Sequence, residues 1–159
     1  IMISTNNEVV FDIEADNLLM DVTKLHCLSY RYVVEPDKVV TLTDDQDIGE
    51  WFVEAEAKDL LLIGHYIIGY DLPAINKLLN IKYSGKLVDT LPLSWYLNHS
   101  RGPIHGLESY GEEFGVPKPP VTDWSEQPLE VYVNRCQEDT LINYHLWVQL
   151  KKKLQEIYQ

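Results

Sequence analysis

Asp12 and Glu14 stand two residues apart at the end of the β-rich run EVVFDIE. Period two places both carboxylates on one face of a strand, with Cα atoms about 7 Å apart. Phe11 and Ile13 then point to the other face. Two unit charges about 5 Å apart repel by roughly 3 kcal/mol at an effective dielectric near 20, and a bridging cation removes that repulsion. Mg2+ and Mn2+ take hard oxygen ligands, which suits Asp and Glu. Two such ions about 4 Å apart can activate a water and stabilise a leaving oxygen in phosphodiester hydrolysis. Three further acids fall at telling places: Asp71 at a helix start behind the apolar LLLIG run, Asp89 at the end of KLVDT, and Asp139 inside the last helix. Each acid also has an ordinary reading: a strand end emerging into solvent for Asp12 and Glu14, which the D-x-E pattern alone favours, a helix cap for Asp71 and Asp89, and a solvated helix face for Asp139.

Charge sharpens the question. Thirteen basic residues against 25 acidic give −12, and an acidic chain repels a phosphate backbone. Acids that hold divalent cations reverse that field locally. With 45% apolar and 24% charged residues, the chain is neither disordered nor of low complexity. Its 159 residues suit a single domain over 1–159. No apolar run approaches the ~20 residues of a membrane span, and without a basic n-region and apolar h-region at its start the chain is expected to carry no signal peptide. The expectation is a cytoplasmic protein, in the host cytoplasm if viral, without a membrane partner. Cys27 and Cys136 lie far apart without metal-ligand spacing and read as reduced core residues.

The elements that must position these acids follow from pattern. EVVFDIE (8–14), 25–34 and 38–43 predict a three-strand meander, with EPD as a turn between the last two. Asp47 and Glu50 form a capping-box pattern ahead of a helix of roughly ten residues. Residues 60–64 read as a buried parallel strand. A helix follows at 71–80 with Pro73 in its first turn, then a strand at 86–90 and a helix at 90–98. A loop at 100–106, a short helix closed by Gly115, an irregular Pro-rich stretch at 116–128 and one long helix over the last thirty residues complete the chain. The pattern gives an α/β fold, a mixed sheet of about five strands flanked by helices.

Five strings in this order, FDIEADNL, GHYIIGYDLPAI, LVDTLPLSWYL, HGLESYGEEFG and CQEDTLINYHL, resemble the proofreading 3′–5′ exonuclease domain of bacteriophage A-family DNA polymerases. More broadly, the chain is similar to the DnaQ-like exonucleases of the DEDD superfamily. The resemblance spans nearly the whole chain and implies a ribonuclease H-like fold; the expectation is a free-standing exonuclease module. It implies that Asp12, Glu14, Asp71 and Asp139 are the catalytic, metal-binding carboxylates for two Mg2+ or Mn2+ ions. Asp12 bridges the ions, Glu14 and Asp139 complete one, and Asp71 orients the second. Leu18 matches a leucine that wedges against the terminal base, Tyr70 the aromatic before the second-motif acid, and Asp89 an acid behind the site. His105 opens a helix that lines the site in relatives.

Two positions depart from the family pattern. Tyr66 stands where the second motif has Asn, and Arg135 where the third has the Tyr that orients the attacking water; the sister subclass uses His at the place of Asn134. Tyr132 lies on Asp139's face but about 10 Å back along the axis. Candidate substrate contacts are Leu18, Tyr66, Tyr70, Arg101, His105 and Arg135, with Arg101 a phosphate ligand. Trp95 and Tyr96 read as packing of an apolar helix. Lys118 flanks the Pro-rich loop, and Lys151, Lys152 and Lys153 sit where cations favour a helix C-terminus. The expected function is a two-metal 3′–5′ exonuclease releasing nucleoside monophosphates from single-stranded DNA or RNA ends. Binding is expected to be weak and non-processive, by a monomer with a polymerase or other replication protein as candidate partner. The alternative, motivated by Tyr66 and Arg135, is a catalytically impaired domain that binds metal, nucleic acid or a protein.

Overall fold

The computed structural model describes residues 6–116, 120, 123 and 126–158. Strand β1 (Glu8–Ala15) pairs antiparallel with β2 (Leu25–Tyr32), and β2 with β3 (Val40–Leu42). Helix α1 (Asp45–Ala57) carries the chain to the other side of β1, where β4 (Leu61–Gly64) runs parallel to it. A π turn at Ile67–Asp71 and helix α2 (Leu72–Leu79) lead to β5 (Leu87–Asp89), parallel to β4. The five-stranded mixed sheet has the order β3-β2-β1-β4-β5. Helices α3 (Thr90–Leu97), α4 (Leu107–Phe114) and α5 (Leu129–Ile157) complete the fold. Among the described residues no helix is long and apolar enough to cross a membrane.

β1 is the central strand, and its alternation divides the molecule. Val9, Phe11, Ile13 and Ala15 face α1, where Phe11 packs on Trp51 and Phe52 with ring centroids 5.6 Å away in each case. Burying each such side chain stabilises the fold by about 1.5–3 kcal/mol. The opposite face meets α5. Val10 and Ile63 of β4 pack on Trp147 of α5. Glu8, fully buried, accepts hydrogen bonds from Trp147 Nε1 at 2.8 Å and from Lys151 Nζ at 2.8 and 3.1 Å. Arg31 of β2 donates to Thr140 Oγ1 and to the Gln137 carbonyl, each at 3.0 Å. These contacts fix α5 against β1 and β2, and so fix where Cys136 and Asp139 fall.

Two local expectations change. The α1 cap is Asp44, whose extended backbone lets its carboxylate accept from the Gln46 and Asp47 amides at 2.9 and 3.3 Å. The Asp47/Glu50 capping box does not form, because the helix starts at Asp45, and Glu50 instead accepts from Gln46 Nε2. Trp95 and Tyr96 are 49% and 63% exposed rather than core, since α3 turns Leu93, Ser94 and Leu97 inward. Lys118 lies outside the described residues.

The Glu8–Lys151 pair generates a test. Truncating one partner of a buried pair leaves the other charge uncompensated and costs about 3–5 kcal/mol. Lys151→Ala is expected to destabilise the protein by about that much in urea unfolding, whereas Lys152→Ala, on an exposed residue, changes stability by less than about 0.5 kcal/mol.

Candidate metal centre

The four acids come from three elements and converge at the carboxyl end of β1. Asp12 and Glu14 project from the β1 face that α5 covers, and Glu14 is buried. Asp139 is buried on α5, one turn after Cys136 on the same helix face. The Asp12 and Glu14 carboxylates and Cys136 Sγ lie within 4.8 Å of one another, and the Cys136 thiol donates to the Asp12 carbonyl at 3.1 Å.

Asp71 ends the π turn at a position where its backbone is already helical, and it makes no side-chain cap. Its ordinary reading as a helix cap therefore fails. Its carboxylate accepts instead from the Ile13 amide at 3.3 Å, between Asp12 and Glu14 on β1. Burial pushes the Asp71 carboxyl well above the usual carboxylate range; the Ile13 amide opposes the shift, and the Asp89 and Asp139 carboxylates add to it. That crowding of like charge in a 5%-exposed position is what divalent cations neutralise. The donor set is carboxylate oxygen, which fits Mg2+ or Mn2+.

No family model and no curated protein matches this chain. Solved structures do. Brucella melitensis NrnC bound to pGG superposes with a TM-score of 0.73 at 16% identity, over 95% of this chain and 74% of that one. The same protein with bound Mg2+ gives 0.68 at 15% identity, over 95% and 75%. Phi29 DNA polymerase, complexed with primer-template DNA and incoming nucleotides, gives 0.57 at 12% identity, over 96% of this chain and 31% of that one. The chain has the ribonuclease H-like nuclease fold. This is the fold that the DnaQ-like resemblance implies. Such low identity carries the likeness no further than the fold, so the chemistry rests on this chain's own residues.

Within that nuclease fold, Asp89 serves as a cap and a clamp. It caps α3 through the Leu91 amide at 3.0 Å and accepts from the Tyr66 and Ile68 amides at 2.8 and 3.0 Å. It thereby holds the turn that delivers Tyr70 and Asp71. Tyr66 sits in this turn at φ 62°, in the left-handed region, where an L residue costs about 1–2 kcal/mol and Asn is better tolerated. The DnaQ-like pattern that the sequence resembles has Asn at this position. A Cβ on Gly69 would lie 2.3 Å from the Tyr66 ring, so the ring lies directly on that glycine. The Tyr70 hydroxyl donates to the Asn17 carbonyl. Burial, then the Asp71, Asp16, Glu14 and Asp12 carboxylates, push this hydroxyl up to about 12. Lys77 Nζ donates to the Leu19 and Met20 carbonyls at 3.0 and 2.9 Å. The loop after β1 is thus held from α2 and from the π turn, while its Leu18 and Met20 side chains stay 76% and 90% exposed. Tyr66 and Ile68 are exposed on the neighbouring turn.

Other expected contacts lie elsewhere. Arg101 donates from Nε to the Ile104 carbonyl at 2.8 Å and from Nη2 to Ser109 Oγ at 2.9 Å. It pairs with Glu113 and lies 3.9 Å over the Tyr110 ring. Its guanidinium ties the α3–α4 connection together and is not a free phosphate ligand. His105 is 1% exposed; its Nε2 donates to the Gly102 carbonyl at 2.7 Å and its Nδ1 accepts from Ser94 Oγ at 2.6 Å. Both nitrogens are used inside the protein, so the ring does not line an open site. Arg135 is half-buried with Nε out of solvent, so it does not swing free. Tyr132 stacks on His26, with centroids 3.7 Å apart and planes at 7°.

Sequence reasoning missed His26 and Cys136. Strict alternation puts His26 and Cys27 on opposite faces of β2. The register slips between Glu14 and Ala15, with Glu14 opposite Cys27 and Ala15 opposite Leu25, leaving His26 as the extra residue. Both side chains then meet α5, His26 on Tyr132 and Cys27 packed with Tyr132 and Cys136. Cys136 carried a legible signal, since it lies three residues before Asp139 on one helix face.

Asp71 yields a pH-dependent prediction. A carboxyl whose folded pKa is raised contributes stability below its unfolded value, near 3.8. That contribution is lost as pH rises through the folded pKa. Above that unfolded value, pH 7 included, the buried carboxyl therefore opposes folding of the metal-free protein. Metal-free Asp71→Asn is expected to melt above the parent at pH 7, with the gap closing toward pH 4. Added Mn2+ should raise the parent's Tm more than the variant's. Thermal melts across pH, with chelator or Mn2+, measure all three.

Proposed function

We propose that this chain is a metal-dependent 3′–5′ exonuclease that releases nucleoside monophosphates from single-stranded DNA or RNA ends. The observation that carries the reading is the gathering of Asp12, Glu14, Asp71 and Asp139 from β1, the π turn and α5. The fold supports it, being shared with proteins whose structures hold pGG, Mg2+ and primer-template DNA. Asp12 would bridge two ions, with Glu14 and Asp139 on one and Asp71 on the second. Bound there, the ions supply a water nucleophilic at neutral pH and charge to stabilise the leaving oxygen. The chain's own part is orientation. Asp89 locks the π turn, Lys77 and Tyr70 lock the Leu18 loop, and the exposed Leu18, Met20, Tyr66 and Ile68 faces offer the terminal base apolar contact. A net charge of −12 leaves few phosphate contacts beyond the ions, so the footprint is short.

A catalytically impaired domain is the second reading, and Arg135 favours it. A guanidinium stays protonated at any working pH and cannot replace the family's water-orienting hydroxyl.

End-labelled DNA and RNA oligonucleotides incubated with Mg2+, Mn2+ or EDTA test the proposal. Stepwise shortening from the 3′ end is expected with either ion and none with EDTA. Asp12→Ala should abolish cleavage yet leave the metal-free protein at least as stable, because it relieves carboxylate repulsion. In the parent, Mn2+ at 100 times its Kd should stabilise by about 2.7 kcal/mol. Shortening that Asp12→Ala leaves intact would point to a contaminating nuclease and refute the reading.

Arg135 carries the last prediction here. A positioned proton-transfer group contributes about 100- to 10,000-fold, and Arg135→Tyr restores only part of one. Turnover on single-stranded DNA is expected to rise about 10-fold or more, with metal affinity little changed. A loss as deep as that of Asp139→Ala would instead make Arg135 a clamp on the scissile phosphate.

A further inference from the structure

The thiol of Cys136 stands among the acids, where a hard-cation site has no use for it. Sγ lies within 4.8 Å of the Asp12 and Glu14 carboxylates and donates to the Asp12 carbonyl. Zinc holds thiolate sulfur at about 2.3 Å and carboxylate oxygen at about 2.0–2.2 Å, so two ligands of one ion lie at most about 4.5 Å apart. At separations of up to 4.8 Å the three groups stand at most a few tenths of an ångström beyond that span. The residues come from β1 and α5, which the Glu8–Lys151 contact joins directly and the Arg31–Thr140 contact joins through β2. Cys136 and its neighbour Cys27 are fully buried, where a soft ligand meets little competition from water.

We propose that Asp12, Glu14 and Cys136 form a mixed carboxylate–thiolate site that takes a thiophilic divalent cation, Zn2+, in preference to Mg2+. The inference rests on the metal centre proposed above and specifies its ion selectivity. Mg2+ coordinates oxygen and leaves the sulfur as a hydrogen-bonded thiol. Zn2+ recruits the sulfur; the thiol proton passes to solvent as the metal–sulfur bond forms. A tetrahedral ion with three protein ligands has one open position, whereas Mg2+ keeps several. Hydrolysis needs both water and phosphate on the metals, so Zn2+ at this place inhibits the Mg2+-supported reaction.

Cobalt(II) reports thiolate ligation directly. Chelator-treated protein, kept reduced with a phosphine, is titrated with Co2+ and followed by absorption. An intense near-ultraviolet thiolate-to-cobalt band is expected in the parent and in Cys27→Ser, and none in Cys136→Ser or Cys136→Ala. One equivalent of Zn2+ should bleach the band, and excess Mg2+ should not. Losing a ligand's outer partner weakens metal binding about 10- to 100-fold, so Cys136→Ser should weaken Zn2+ binding by about 100-fold or more. Co2+ that raises the parent's Tm without the band overturns this inference and leaves the carboxylate centre standing. A band lost in Cys27→Ser and kept in Cys136→Ser also overturns it. If neither Co2+ nor Mn2+ binds the parent, the metal reading under both proposals fails. Circular dichroism of each variant verifies its fold, and the parent's spectrum alone can refute the inference.

Discussion

The docking of α5 on one face of β1 is the constraint on which the rest depends. β1 is buried on both sides, so its α5-facing positions have to be satisfied inside the protein. At the amino end they are satisfied conventionally, by Trp147 and Lys151 around Glu8. At the carboxyl end Asp12, Glu14, Asp71 and Asp139 meet instead, and like charge accumulates at Asp71. The same helix carries the ion pair that secures it and the acid that completes the cluster. Rigidity at one end therefore permits crowding at the other, which would otherwise push α5 off the sheet.

Loop geometry around this seam follows the same logic. Three amides of the π turn and α3 converge on Asp89, which holds Tyr66 in a left-handed backbone. The turn's last residue then reaches the β1 backbone at Ile13. Tyr70 and Lys77 bind main-chain carbonyls of the loop after β1, so the exposed Leu18 and Met20 are carried on a braced segment. Such bracing suits a surface that has to present apolar faces without collapsing onto the core.

The polar residues turned inward elsewhere support the helices rather than a ligand. His105, Ser94 and Tyr110 form a buried hydrogen-bond chain with Asn98, and Arg101 closes the loop beside it. A buried imidazole between a carbonyl and a hydroxyl is held in one tautomer and is a poor partner for substrate. The catalytic reading therefore narrows to one side of α5, with Arg135 at its margin.

How much of this was legible differs residue by residue. The strands, the helices and the pairing of Asp12 with Glu14 were readable because each follows from a local period, two in β1 and 3.6 in α5. Asp71 and Asp139 had to be singled out by resemblance, since a helix-start acid and a helix-face acid look the same whether or not they meet. Their meeting depends on the π turn, which no spacing announces, and on the rotation of α5, set by distant contacts at Glu8 and Arg31. Arg101 and His105 looked free in sequence because their partners, Glu113, Ser109, Gly102 and Ser94, become neighbours only when α3 and α4 fold together. The bulge at His26 reversed one side chain against the strand period. Sequence alone determined which elements form and which carry acid. Only the tertiary structure decided which acids share a space and that a cysteine shares it with them, because convergence depends on the packing angle of one helix on one strand.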